Sequence, residues 1–138
     1  RLIMPQPITN GAHHIGLTVL SLNETRSFFI DILGFSQIGE VPDYPAAFVS
    51  DGNIMITLWQ VQDPESATQF DRRNNIGLHH FALQVASHEA LNEMHKRITN
   101  APGCEIEFAP ENLGNGPMQH MMCTIPGGIR MEVIFPGK

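Results

Sequence analysis

The chain has 138 residues, 42% of them hydrophobic and 16% charged, which is enough for one buried core and little more. Eight Lys and Arg against 14 Asp and Glu give a formal net charge of -6, and this acidic balance argues against nucleic acid or anionic lipid as a partner, since both need a basic footprint. No apolar run approaches the roughly 20 residues of a membrane span, and the opening Arg1–Pro7 has no apolar signal region, so the expectation is a soluble cytoplasmic domain.

From His13 to Ser21 apolar and polar residues alternate, which predicts a strand with one buried face. Ser21, with Glu24 three residues on, is a helix-capping pair. Leu22, Phe28, Phe29, Ile32 and Leu33 follow at helical spacing, and Gly34 supplies the stop. A short strand fits near Gln37–Val41, and Phe48–Leu58 reads as strand, Gly turn, strand. The polar stretch Asp63–Asn75 is expected as a surface connection with room for a short helix.

The pattern then repeats. His79–Ser87 echoes His13–Ser21 at an offset of 66 residues, and Cys123–Val133 echoes Phe48–Leu58 at an offset of 75. Ser87 caps a helix carrying Leu91, Met94 and Ile98, which ends near Asn100–Gly103. A strand is expected over Glu105–Ala109, a loop over the Gly-, Pro- and Asn-rich Ala109–Pro117, and a further strand through His120, Met122 and Thr124. Cys104 and Cys123 lie outside any CxxC motif and read as small hydrophobes of a reducing compartment. The expectation is one α+β domain, residues 1–138, of two βαβββ modules (about 10–62 and about 76–136) joined by a linker at about 63–75. The modules form a curved mixed sheet with the helices on its outer face.

Alternation also sorts side chains by face. Ile15, Leu17 and Val19 pack inward, as do Phe81, Leu83 and Val85, and Ile129, Met131 and Val133. That leaves His14, His80 and Glu132 on the face without helices, beside the small residues Gly16 and Ala82. One strand histidine is more often a surface residue than a ligand. Three donors on one face, two of them at equivalent repeat positions, point instead to a divalent metal: Zn, Ni, Co, Mn or Fe(II). His13 and His79 point the other way, as packing or supporting residues. His120 is a candidate acid or base. Arg130, Thr57, Trp59 and Gln84 are candidate substrate contacts on the same cleft. His88 and His95, on the second helix, are expected in solvent.

Taken together, His14–Val19, Leu33-Gly34-Phe35, His80–Leu83 and Gly128–Val133 within the two-module pattern resemble the vicinal oxygen chelate superfamily over about residues 10–136. That superfamily includes glyoxalase I, extradiol dioxygenases, fosfomycin-modifying transferases, methylmalonyl-CoA epimerase and bleomycin-binding proteins. The resemblance implies His14, His80 and Glu132 as metal ligands, with Glu132 also catalytic. It implies a metal acting on two neighbouring oxygens of a small substrate, and a homodimer in which ligands can come from both chains. Glyoxalase I adds a fourth ligand, a Glu, where this chain has Thr57. The reading from sequence is a metal-dependent lyase or isomerase of glyoxalase type. An Fe(II) extradiol-type dioxygenase is the alternative, and a metal-free small-molecule binding protein a third.

Overall fold

The computed structural model describes residues 3–138; Arg1 and Leu2, at the head of the segment read for a signal, lie outside them. The first module runs β1 (His14–Val19), α1 (Leu22–Ser27), β2 (Ser36–Val41), β3 (Ala46–Ser50) and β4 (Met55–Gln60). The second runs β5 (Phe81–Gln84), α2 (His88–Thr99), β6 (Glu105–Asn112), β7 (Gln119–Thr124) and β8 (Arg130–Phe135). Both are βαβββ units. Among the described residues the strands make two four-stranded mixed sheets, ordered β1-β4-β3-β2 and β5-β8-β7-β6. Within each, the first strand runs parallel to the last and the other pairings are antiparallel hairpins. A parallel partner needs a long crossover, which the helix and the two intervening strands provide.

The register makes the repeat structural: Gly16 lies opposite Thr57 in one sheet, and Ala82 opposite Glu132 in the other. Leu17, Val19, Phe81, Leu83, Met131 and Val133 are buried, and with Phe29, Leu91 and Ile98 they belong to one apolar cluster spanning both modules. α1 packs on β3 and β4, and α2 on β6, β7 and β8. The helices thus take one face of each sheet, and the opposite face keeps the polar side chains.

Four local expectations change. The first helix is not α-helical to Gly34: a π-helical turn occupies Phe28–Ile32, with the Leu33 N–H donating to Phe28 O at 3.2 Å. The wider turn keeps consecutive Phe28 and Phe29 both in the core, where Phe29 meets the Phe28 and Phe35 rings at 5.4 and 5.2 Å. Gly34, at φ +80°, then ends it. Ala109–Asn112 is strand rather than loop. β6 is an edge strand whose pairing slips between Phe108 and Glu111, so Pro110 needs no ladder partner for its missing N–H. The linker holds turns and no helix among the described residues, with Asp71 accepting from the Arg73 and Asn74 backbone N–H groups at 2.9 and 3.2 Å. His88 is half-buried, not solvated, with Nδ1 2.6 Å from Gln119 Oε1 and its ring against Phe135.

Candidate functional site

Glu132 occupies the middle of the polar face of the second sheet, with Ala82 of β5 on one side and Met122 of β7 on the other. Ala82 is too small to cover it, and the neighbouring strands bring in two imidazoles. His80, immediately before β5, places Nε2 3.2 Å from Glu132 Oε1. His120, on β7, places Nδ1 2.6 Å from Glu132 Oε2. The His120 and Glu132 side chains are each only 12% exposed, whereas His80 is 33% exposed and reaches the cleft surface. Phe108 packs its ring on His120 at 4.9 Å, and Glu111 Oε1 stands 3.7 Å from His120 Nε2. A carboxylate is therefore held between two imidazoles, one of them nearly enclosed.

Of the three expected ligands, His80 and Glu132 are neighbours and His14 is not with them. His14 is exposed on β1, in the other sheet, with Nδ1 2.9 Å from Nδ1 of His13. Among the described residues of one chain, no group of three His, Cys, Asp or Glu side chains is arranged to hold a metal ion. One imidazole nitrogen and one carboxylate oxygen do converge, and that donor chemistry suits Zn, Fe(II) and their neighbours. One chain brings His80 and Glu132 together and leaves His14 on the other sheet.

The equivalent face of the first module is built differently. Thr57, where the second module has Glu132, is buried, and its Oγ1 accepts a hydrogen bond from Trp59 Nε1 at 2.9 Å. Gly16 lets the two approach: a Cβ there would lie 3.1 Å from Thr57 Oγ1 and 3.5 Å from Trp59 Nε1. Tyr44 and Phe48 pack on Trp59, with ring centroids 4.8 and 5.7 Å away. The result is an aromatic wall with the hydroxyls of Thr57 and Tyr44 and no carboxylate where the second module has Glu132. Gln84 is exposed on the Glu132 face of the second module, opposite Ile134.

Arg130, the expected substrate contact, is engaged within the chain. It is 8% exposed, and it grips Glu107 through Nε to Oε1 at 2.9 Å and Nη2 to Oε2 at 2.6 Å. Arg72, from the linker, adds a third contact to Glu107 Oε1 at 2.9 Å. Hydrogen bonds from Arg130, then the charges of both guanidiniums, pull the Glu107 carboxyl down to about 2, while the hydrogen bonds to Glu107 and the Glu107 and Glu132 charges raise Arg130. Burial pushes the Cys104 and Cys123 thiols up to about 11 and 12, which keeps both as the inert hydrophobes expected. Sequence reasoning missed Glu107 and Arg72. Their partner Arg130 is 23 residues from Glu107 along the chain, and no spacing rule links a linker residue to an edge strand.

Residues 11–133 match the Glyoxalase/Bleomycin resistance protein/Dioxygenase superfamily. The chain is 31% identical over 99 residues to a catechol-2,3-dioxygenase of Bacillus subtilis (strain 168), a match covering 68% of this chain and 33% of that protein. It therefore spans about a third of that relative's length. It is 22% identical over 144 aligned positions to a 2-epi-5-epi-valiolone epimerase of Actinomyces sp, covering 88% of this chain and 77% of that one. Among solved structures, a glyoxylase/bleomycin resistance protein/dioxygenase domain from Frankia sp. EAN1pec superposes with a TM-score of 0.79 at 21% identity, over 93% of this chain and 98% of that one. Two modules with this strand order, a polar face opposite the helices and a match over nearly the whole length agree: the chain belongs to the glyoxalase/bleomycin resistance protein/dioxygenase superfamily.

Proposed function

We propose that the protein is a divalent-metal-dependent enzyme of glyoxalase type, a lyase or isomerase acting on a small metabolite with two neighbouring oxygens. The observation that carries this reading is Glu132 held between His80 and His120 on the open face of the second sheet. His80 Nε2 and Glu132 Oε1 would hold the cation in one protomer of a cytoplasmic homodimer, with His14 of the partner subunit as the third donor. When bound, such a cation supplies Lewis-acid polarisation of the substrate oxygens.

The rest of the chemistry falls to the chain's own groups. Thr57 carries a hydroxyl where a fourth ligand would bring a carboxylate, and a hydroxyl is no proton acceptor near neutral pH. Proton transfer is left to His120, which is enclosed by Phe108 and anchored on Glu132. Its Nε2 faces Glu111, whose side chain is 57% exposed, so a proton held at that nitrogen has a route to solvent. Trp59 and Thr57 would form the apolar wall against the substrate, with Gln84 as a polar contact. Arg130, bound to Glu107, enters as a support of the site rather than as a substrate contact.

A second reading has its own support: the relative with 31% identity is a catechol dioxygenase, which favours Fe(II) and ring cleavage. Metal analysis of the native protein, followed by assays with and without oxygen, separates the readings. Turnover that persists anaerobically and is lost on chelation supports the lyase or isomerase. Iron content with oxygen uptake on catechols replaces it with the dioxygenase. A protein that takes up no metal and still binds small molecules would be a binding protein, and the proposal would fall.

A further inference from the structure

The doubled histidines His13-His14 and His79-His80 are a feature of the repeat that the reading above uses only in part. In both pairs the rings meet edge to face, with centroids 5.1 and 5.0 Å apart. In both, Nδ1 faces Nδ1, at 2.9 Å in the first pair and 2.7 Å in the second. Two imidazole nitrogens in such contact share one proton: one ring donates and the other offers its lone pair. In the second pair the structure holds a reason for the direction. Arg130 Nη1 approaches His79 Nδ1 at 3.5 Å. A guanidinium carries donors only, so it favours a lone pair at that nitrogen and opposes an N–H. Arg130 cannot turn away, because Glu107 holds it at two points. The shared proton therefore belongs to His80 Nδ1, and His80 Nε2 is the nitrogen left facing Glu132 Oε1.

We propose that His79 is a positioning residue: it accepts the Nδ1 proton of His80 and so presents His80 Nε2 as the metal-binding nitrogen, with Arg130 holding His79 in the accepting form. The inference rests on the metal reading above. Metal-binding histidines generally donate their second ring N–H to a carboxylate, a carbonyl or water, and that contact fixes the ring and its tautomer. Here a second imidazole takes that part. With or without a cation at Nε2, Nδ1 keeps its proton toward His79. Among the described residues no comparable contact fixes the direction of the His13-His14 pair, so His13 serves as the control.

The test reads the ring nitrogens of isotope-labelled histidines by NMR in the full chain, at one fixed pH, without metal and with Zn(II). Zn(II) affinity is measured beside it. The expected result is a protonated His80 Nδ1 in both states. His79 is exposed, so its replacement leaves the core intact. His79→Ala should leave His80 Nδ1 unprotonated in the metal-free protein and weaken Zn(II) binding by about 10- to 100-fold. His79→Asn, whose amide oxygen stands near the place of Nδ1, should restore both, and His13→Ala should leave the His80 signals unchanged. An unprotonated His80 Nδ1 in the unaltered protein overturns the inference. So does a His79→Ala variant that matches His79→Asn in both proton position and affinity. The proton is located in the metal-free protein, so a chain that never takes up metal would sink the proposed function and leave this assignment separately readable.

Discussion

Arg130 and Glu107 form a two-point ion pair, at 2.9 and 2.6 Å, that ties β8 to the edge strand β6 across the intervening β7. Glu107 titrates near 2 in the folded chain against an ordinary value of 4.5, so its contribution is present above about 4.5 and is lost as pH falls toward 2. Glu107→Gln should cost about 2 kcal/mol near neutral pH, less than a fully buried pair because the Glu107 side chain remains 34% exposed. Denaturant unfolding of both proteins across this range checks it. The difference should shrink below pH 4.5 and vanish near 2; a difference that is constant with pH would show that the pair does not carry it.

The strand faces and the repeat were legible in the sequence because a pleat imposes a period of two, and His14–Val19 and Arg130–Val133 alternate polar and apolar residues. Period assigns direction, not distance. It placed His14, His80 and Glu132 on corresponding faces, yet said nothing of the two separate sheets that carry them. The Phe28–Ile32 turn was hidden because the same apolar residues satisfy α and π spacing over so short a run. Pro110 pointed to a loop because its missing N–H matters in a central strand, and only the topology shows that its strand lies at an edge. The enclosure of His120 depends on Phe108, which belongs to a different strand and carries no sequence signal toward it.

His120→Ala should separate proton transfer from metal binding. The imidazole touches Glu132 but is not needed as a ligand in the proposed site, so metal content should stay near that of the unaltered protein. Turnover should fall by about 100- to 10,000-fold, the usual cost of losing a positioned acid or base. Metal analysis and steady-state kinetics on the same preparation decide it. Loss of metal together with activity would make His120 a ligand and displace His14 from the proposed set.

Trp59 is the chain's one tryptophan, so its fluorescence reports on the first-module wall alone. Thr57→Val removes the acceptor of the Trp59 Nε1–H and should cost about 1 kcal/mol while shifting the emission. Gly16→Ala brings a Cβ to 3.1 Å from Thr57 Oγ1, so it should disturb the same signal without altering a hydrogen-bonding group. Shifts in both variants would show that the wall depends on this close approach. An unchanged spectrum in both would place Trp59 outside the contact.

The split between His14 and Glu132 predicts a specific complementation. If each site draws His14 from one chain and His80 with Glu132 from the other, His14→Ala and Glu132→Ala homodimers are both inactive. Random exchange of their subunits makes half the dimers mixed, and each mixed dimer has one site with both ligands intact. Activity should return to about a quarter of the unaltered level. The reverse mixture sharpens the test. Chains carrying both substitutions, exchanged with unaltered chains in equal amounts, form mixed dimers with no intact site, so activity should fall to about a quarter. A site contained in one chain inverts both results: the single variants would not complement, and the reverse mixture would keep about half its activity, because every unaltered chain would still carry a whole site. The pair of mixtures distinguishes the arrangements without knowledge of the natural substrate, since Zn(II) bound per chain follows the same counting.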